Sequence, residues 1–209
     1  MLRSDHAEAW NNLGLVLKEQ GSLSEAVQCY QRAIQVRPAY AEAFNNLGVA
    51  YRELRETQRA LECYTRSLQL KSDHAAAFNN LGNLLLSMGR PSDAVTCLKR
   101  AVELQPGFAE AFTNLGAALQ DLRRLNEAEE CLRASLRLNP DDPATLKSLV
   151  RERIASGALR PGDAVGSEEA WARDTGYSRL TVHRALRELM LEGVLVRFRR
   201  KGTFVAELR

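Results

Sequence analysis

"AEAFNNLGVAYRELRETQRALECYTRSLQLKS", residues 41–72, decides the fold. It aligns without gaps to "AEAWNNLGLVLKEQGSLSEAVQCYQRAIQVRP" from Ala7, "AAAFNNLGNLLLSMGRPSDAVTCLKRAVELQP" from Ala75 and "AEAFTNLGAALQDLRRLNEAEECLRASLRLNP" from Ala109. The period is 34 residues, marked plainly by Cys29, Cys63, Cys97 and Cys131. A fixed period of this length signals stacked units, each burying an apolar face on its neighbours. In the first copy Trp10, Leu13 and Leu17 recur at i, i+3 and i+7, one face of a helix that points to the core. Gly14 is small where a neighbouring helix comes close, and Gly21 begins a turn. Ala26, Tyr30 and Ala33 line a second helix, which Pro38 ends. Each copy is therefore a helix hairpin.

This order of aromatic–Leu–Gly, then Ala, aromatic, Ala and Pro resembles the tetratricopeptide repeat, over about residues 7–140. Departures are mild: Ser72 replaces Pro in the second copy, and Leu98 and Leu132 stand where an aromatic is usual. The resemblance implies an α-solenoid whose first helices line a concave groove. Such a fold carries no reaction by itself and serves to hold a peptide or a partner helix. Asn12, Asn46, Asn80 and Asn114 occupy one position in all four copies. An amide offers a donor and an acceptor together, which matches a backbone peptide unit. The row resembles the asparagine ladder in the repeats of O-linked N-acetylglucosamine transferase, which implies peptide binding at these four positions. Two other readings stay open: Asn tolerated on a solvated face, or Asn bonded locally between repeats. The neighbouring Asn11, Asn45 and Asn79 lapse to Thr113 and carry less weight.

The even spacing of the cysteines does not imply disulfides. Equivalent positions of stacked repeats lie roughly 10 Å apart, whereas a disulfide needs alpha carbons within about 7 Å. Semi-buried thiols of a reduced protein are expected. His6 and His74 sit in equivalent "SDHA" turns two repeats apart and cannot share a metal; the preceding Ser and Asp read as helix N-caps. No apolar run approaches the roughly 18 residues of a membrane span, and "MLRSDHAEAW" lacks the apolar segment of a secretory signal. A cytoplasmic protein without membrane association is expected.

The 34-residue rhythm fails after Pro143. Leu146, Leu149 and Val150 keep the spacing of a first helix, but "SGALRPGD" puts Gly157, Pro161 and Gly162 where a second helix is due. Residues 144–156 are expected to cover the last repeat and also open a new domain. Charge changes here too: residues 144–209 hold 13 Lys/Arg against 8 Asp/Glu, while the preceding 143 hold 16 against 18. A basic surplus confined to one part points to a different partner. "GSEEAWARD" reads as a helix with Ser167 as N-cap, and "TGY" as a turn on Gly176. "SRLTVHRALRELMLEG" reads as a second helix, with Ser178 as N-cap, Val182, Leu186 and Leu189 as its apolar face and Gly193 as a left-handed cap. "VLVRF" and "TFVAE" are strand-like and flank the basic tip "RRKG".

Helix, turn, helix and a basic two-stranded wing make a winged helix. The matching stretches "VRERIASGALRPGD", "GSEEAWARDTGYSRLTVHRALREL" and "LEGVLVRFRRKGTFVAE" resemble the DNA-binding domain of the GntR family, most closely its histidine-utilisation repressor branch. The expected fold class is thus mostly α: an α-solenoid of four helix-hairpin repeats, residues 1–143, then a small α+β winged helix-turn-helix domain, residues 144–209. The second helix of such a pair enters the major groove of double-stranded DNA by its N-terminal residues. Here these are Ser178, Arg179, Leu180 and Thr181, with His183 and Arg184 one turn on. Arg179 suits bidentate contact with guanine. Ser167, Ser178 and Thr181 suit phosphate oxygens, aided by helix N-termini. His183 suits a base or a phosphate. Arg199, Arg200, Lys201 and Gly202 place the wing tip near the minor groove or the backbone. The other reading is that these charges only solvate a surface. Two departures stand out: Glu169 where many relatives carry Arg or Asn, which is expected to weaken binding modestly, and Arg200 where the wing usually has Gly.

Relatives of this kind continue into a domain that senses a metabolite and often dimerises. This sequence ends at Arg209, just after the wing, so either the repeats supply sensing and assembly or the chain is a fragment or truncation. Regulators with one helix-turn-helix usually bind as pairs, which makes a homodimer on DNA one expectation. The leading expectation is a DNA-binding transcription regulator with an N-terminal peptide- or protein-binding module. The alternatives are a scaffold whose winged helix meets protein, and a truncated regulator. No phosphate loop, nucleophile elbow or metal-ligand cluster is found in the sequence, so no catalytic residue, metal or cofactor is expected.

Overall fold

The computed structural model describes residues 4–139, 143–198 and 202–207. The chain divides into two compact units, residues 1–106 and 107–209. The first contains three helix hairpins: α1 (Ser4–Glu19) with α2 (Leu23–Val36), α3 (Ala41–Glu53) with α4 (Thr57–Leu70), and α5 (Ala75–Ser87) with α6 (Pro91–Leu104). The second contains the fourth hairpin, α7 (Ala109–Asp121) with α8 (Leu125–Leu138), then α9 (Pro143–Ala155), α10 (Glu168–Thr175), α11 (Arg179–Leu191), β1 (Leu195–Phe198) and β2 (Gly202–Val205).

A close approach explains the repeated glycine. A Cβ on Gly14 would lie 2.6 Å from the Tyr30 ring, and one on Gly48 2.6 Å from the Tyr64 ring. A Cβ on Gly82 would lie 2.5 Å from Leu98, and one on Gly116 2.9 Å from Leu132. The aromatic-to-leucine departures therefore keep the same knob: Tyr30, Tyr64, Leu98 and Leu132 are all fully buried against a bare helix backbone. No disulfide links the four cysteines. Burial pushes the Cys63 thiol up to about 12, which keeps it protonated and unreactive.

The first helices all end alike. Ser22 N–H donates to the Leu17 carbonyl and Gly21 N–H to that of Lys18. The same pair of bonds recurs at Arg55 and Glu56, Gly89 and Arg90, and Arg123 and Arg124. This is the Schellman motif, which needs a left-handed residue just past the helix. Gly21 and Gly89 supply it freely, but Arg55 (φ 64°) and Arg123 (φ 60°) adopt it with a side chain. A left-handed non-glycine residue is strained by about 1–2 kcal/mol. Arg55→Gly should accordingly stabilise the array by about 1 kcal/mol, read as a higher melting temperature.

Two expectations differ from the structure. Leu13 does not reach the core: Trp10, Leu13 and Val16 form the outer face of the first hairpin, and Leu13 is 45% exposed against 5% for its equivalent Leu47. Leu47 is buried because its helix α3 packs on α1 and α2. Neither Ser72 nor Asp73 caps α5; its N-cap is His74, without a side-chain capping bond. Ser67 of the preceding helix donates to the Ala41 carbonyl at 2.8 Å and lies 3.0 Å from His74 Nδ1. The fourth hairpin also shares a core with α9, α11 and the strands, which places it in the second compact unit.

Burial holds the His74 imidazole below its usual range, against the opposing pull of Glu42 and Asp73; Lys71 adds to the lowering. The unfolded chain then takes up the proton first, so stability falls as pH drops from about 6.5 through the lower folded value. His74→Asn should flatten that part of a stability–pH curve.

In the second unit α9 is shared. Leu146, Leu149 and Val150 of α9 join Leu132 and Leu136 of α8 on one side, and Trp171, Val182, Leu186, Leu189, Leu195 and Val205 on the other, in one core. Thr145 is buried and lies 3.0 Å from the Thr113 hydroxyl of α7, so polar atoms meet at the same joint. The strands pair antiparallel, Leu195 opposite Val205 and Phe198 opposite Gly202. No described helix is long and apolar enough to cross a membrane.

Candidate nucleic-acid interface

Two serine caps and one glycine fix the paired helices. Ser167 is extended and its hydroxyl accepts from Ala170 N–H at 3.1 Å, which starts α10. Gly176, at φ 79°, ends α10 by donating its N–H to the Ala172 carbonyl. Trp171 is buried and donates from Nε1 to the Val165 carbonyl at 2.7 Å, fastening α10 to the segment before it. Tyr177 is buried in the turn. Ser178 then accepts from Thr181 N–H at 3.1 Å and starts α11. Gly193 (φ 74°) closes α11: its N–H donates to Met190 and that of Val194 to Leu189, another Schellman end.

One face of α11 is buried through Val182, Ala185, Leu186 and Leu189. The opposite face carries Ser178, Arg179, Leu180, His183, Arg184 and Arg187, all exposed. Leu180 is 77% exposed. Thr181 differs from its expected role: it is 8% exposed and its hydroxyl lies 2.8 Å from that of Ser178. Three residues past the cap, it turns under the first turn of the helix and supports Ser178 instead of facing solvent. Gly202 opens β2 at φ 115°. Arg199, Arg200 and Lys201 lie outside the described residues.

Basic residues of α11 face acids. Arg179 Nη2 lies 2.6 Å from Glu169, His183 Nδ1 2.9 Å from Glu168, and Arg184 Nε 3.4 Å from Glu188. Glu169 stands out in the sequence as a departure, whereas Glu168 and both pairings across the turn do not. Spacing alone does not reveal them, because the partners are brought together by the turn between two helices.

Family models match the chain in two parts. Tetratricopeptide repeat models match residues 14–55, 40–106 and 79–143. The model for bacterial regulatory proteins of the gntR family matches residues 144–205. The chain carries tetratricopeptide repeats followed by a gntR-family domain. The histidine utilization repressor of Klebsiella aerogenes is 50% identical over 62 residues, 30% of this chain and 26% of that protein. The one from Pseudomonas aeruginosa is 47% identical over 64 residues, 31% and 26%. The mannosyl-D-glycerate transport/metabolism system repressor of Escherichia coli is 45% identical over 60 residues, 29% and 25%. The chain thus spans about a quarter of the length of these curated relatives. Among solved structures, MamA from Desulfovibrio magneticus has a TM-score of 0.66 at 20% identity, covering 90% of this chain and 94% of that one. Pseudomonas aeruginosa pilF has 0.68 at 22%, covering 90% and 92%. These likenesses show the repeat fold.

Within the repeats, the asparagine row makes bonds of its own. Asn46 Nδ2 donates to Asn11 Oδ1 at 2.9 Å, and Asn80 Nδ2 to Asn45 Oδ1 at 2.9 Å. Asn11 and Asn45, which carry less weight in the sequence, are buried and act as acceptors across each seam. Asn12 is exposed, while Asn46, Asn80 and Asn114 are half-buried. An amide nitrogen carries two hydrogens and its oxygen two lone pairs. One bond across a seam orients Asn46 or Asn80 and still leaves capacity for a ligand.

Proposed function

We propose that this chain is a DNA-binding transcription regulator of the cytoplasm, with no catalytic role. Residues 144–209 serve as the DNA-reading module and residues 1–143 as a module for a peptide or protein. The observation that carries this reading is the exposed face of α11. It starts at a capped N-terminus, and Arg179, Leu180, His183 and Arg184 project from it within the gntR-matched segment. Arg179 has the fork to meet guanine O6 and N7, and Leu180 the apolar tip to meet a thymine methyl. Ser167 and Ser178, with the helix N-termini they cap, suit phosphates; the basic stretch 199–201 and Gly202 suit the flanking groove. Relatives named as repressors over this segment add support. Selection of bound duplexes from a random pool, followed by the mass of the complex, tests it. A palindromic winner bound by two chains is the expected result.

The peptide site proposed is the row Asn12, Asn46, Asn80 and Asn114. The seam bonds support it by pre-orienting Asn46 and Asn80 in the first unit. Asn46→Ala with Asn80→Ala should weaken a peptide selected on the wild-type chain by about tenfold or more, since each hydrogen bond contributes about 0.5–1.5 kcal/mol. A second reading, in which the winged helix meets a protein, draws on Leu180 and on the acids that already face Arg179 and His183. No shift of any duplex alongside capture of a protein by the isolated face would favour it.

A further inference from the structure

Glu168 and Glu169 open α10, and each reaches across the turn to the exposed face of α11. Their place is favourable in itself, because a helix N-terminus attracts negative charge. The backbone amide at Glu169 and the Ser167 hydroxyl, then the Arg179 guanidinium, hold the Glu169 carboxyl below its ordinary range. It therefore stays ionised at neutral pH. Two carboxylates thus face the two α11 residues best suited to read DNA, at 2.6 and 2.9 Å.

We propose that Glu168 and Glu169 act as an internal phosphate mimic that sets sequence selectivity by occupying His183 and Arg179 until a matching base edge displaces the acids. This rests on the DNA-binding reading of α11. A carboxylate and a phosphate offer the guanidinium the same kind of oxygen pair. A phosphate exists at every step of every sequence, so an unoccupied Arg179 would grip any duplex. With Glu169 in place, a passing phosphate gains little: it must replace an equivalent partner and approach two negative charges. A guanine presents two acceptors without a full negative charge, and so avoids that repulsion while filling both arms of the fork. The Arg179–Glu169 pair is also exposed, with side-chain accessibilities of 67% and 52%. Exposed ion pairs are weak, so the acids can be displaced. The acids thus weaken non-specific binding more than specific binding.

The test compares wild type, Glu168→Gln/Glu169→Gln, each single variant Glu168→Gln and Glu169→Gln, and, as a single-charge control, Glu103→Gln. Glu103 pairs with Arg100 on α6, in the first compact unit, so the control changes a charge outside the unit that holds α11. Each is titrated with a random-sequence duplex and with the duplex selected by wild type, over a range of salt. The double variant should bind the random duplex roughly 3- to 10-fold more tightly, with a salt slope steeper by about 1 for each additional phosphate it neutralises. Its preference for the selected duplex should shrink, while Glu103→Gln matches wild type. A role limited to capping α10 would change stability but not the slope. Unchanged slope and random-duplex affinity in a folded double variant would overturn the inference and leave the DNA reading standing. Failure of wild type to bind either duplex at low salt would overturn the DNA reading, and this inference with it.

Discussion

Leu149→Ala lowers the stability of the fourth repeat and the winged helix together, by about 2–5 kcal/mol. Leu149 is 1% exposed and sits in the core that joins α8, α9 and α11. Truncating a buried leucine removes its transfer free energy and leaves a cavity that the surroundings close only in part. Leu132 and Leu136 share this core from the repeat side, and Val182, Leu186 and Leu189 from the winged-helix side. Neither side can repack without moving α9, which both use. Hydrogen exchange resolved by segment checks this. Protection in α7, α8, α10 and α11 should fall in parallel in the variant. Loss confined to α10 and α11, with α8 unchanged, would show two separate cores.

On the proposed reading, Arg179→Ala costs about 1–3 kcal/mol of discrimination at one base pair, a factor of about 5 to 150. The side chain projects from the first turn of α11, is 67% exposed, and has its guanidinium already oriented by Glu169. Losing it removes two directional bonds to one base while the phosphate contacts persist. Binding of single-base-pair variants of the selected duplex should show one position relaxed and the others kept. A uniform weakening at all positions would place Arg179 on the backbone instead.

The repeats are legible in the sequence because their chemistry is local and recurs. Gly14 with Tyr30, and Gly82 with Leu98, lie sixteen residues apart within one hairpin, and one close approach explains both members. The winged helix is legible for a similar reason: Ser167, Gly176, Ser178 and Gly193 are caps and turn residues whose backbone roles follow from residue type. The features that the sequence hides depend on partners the chain brings together from a distance. Asn46 meets Asn11 across a repeat seam, and Ser67 meets the Ala41 carbonyl and the His74 ring. Arg55 and Arg123 take a left-handed conformation against their own preference, because the Schellman end of every first helix demands it. The extent of the shared core shows only partly in Leu146, Leu149 and Val150, since their partners lie on α8 and α11.

On the proposed reading α11 reads double-stranded DNA, and the dependence of affinity on salt tests this most directly. Each neutralised phosphate contributes about −0.9 to the slope of log affinity against log salt. A clearly negative slope of several units is expected with any duplex, with tighter binding of one selected sequence. A slope near zero, with no preference among sequences, would contradict it.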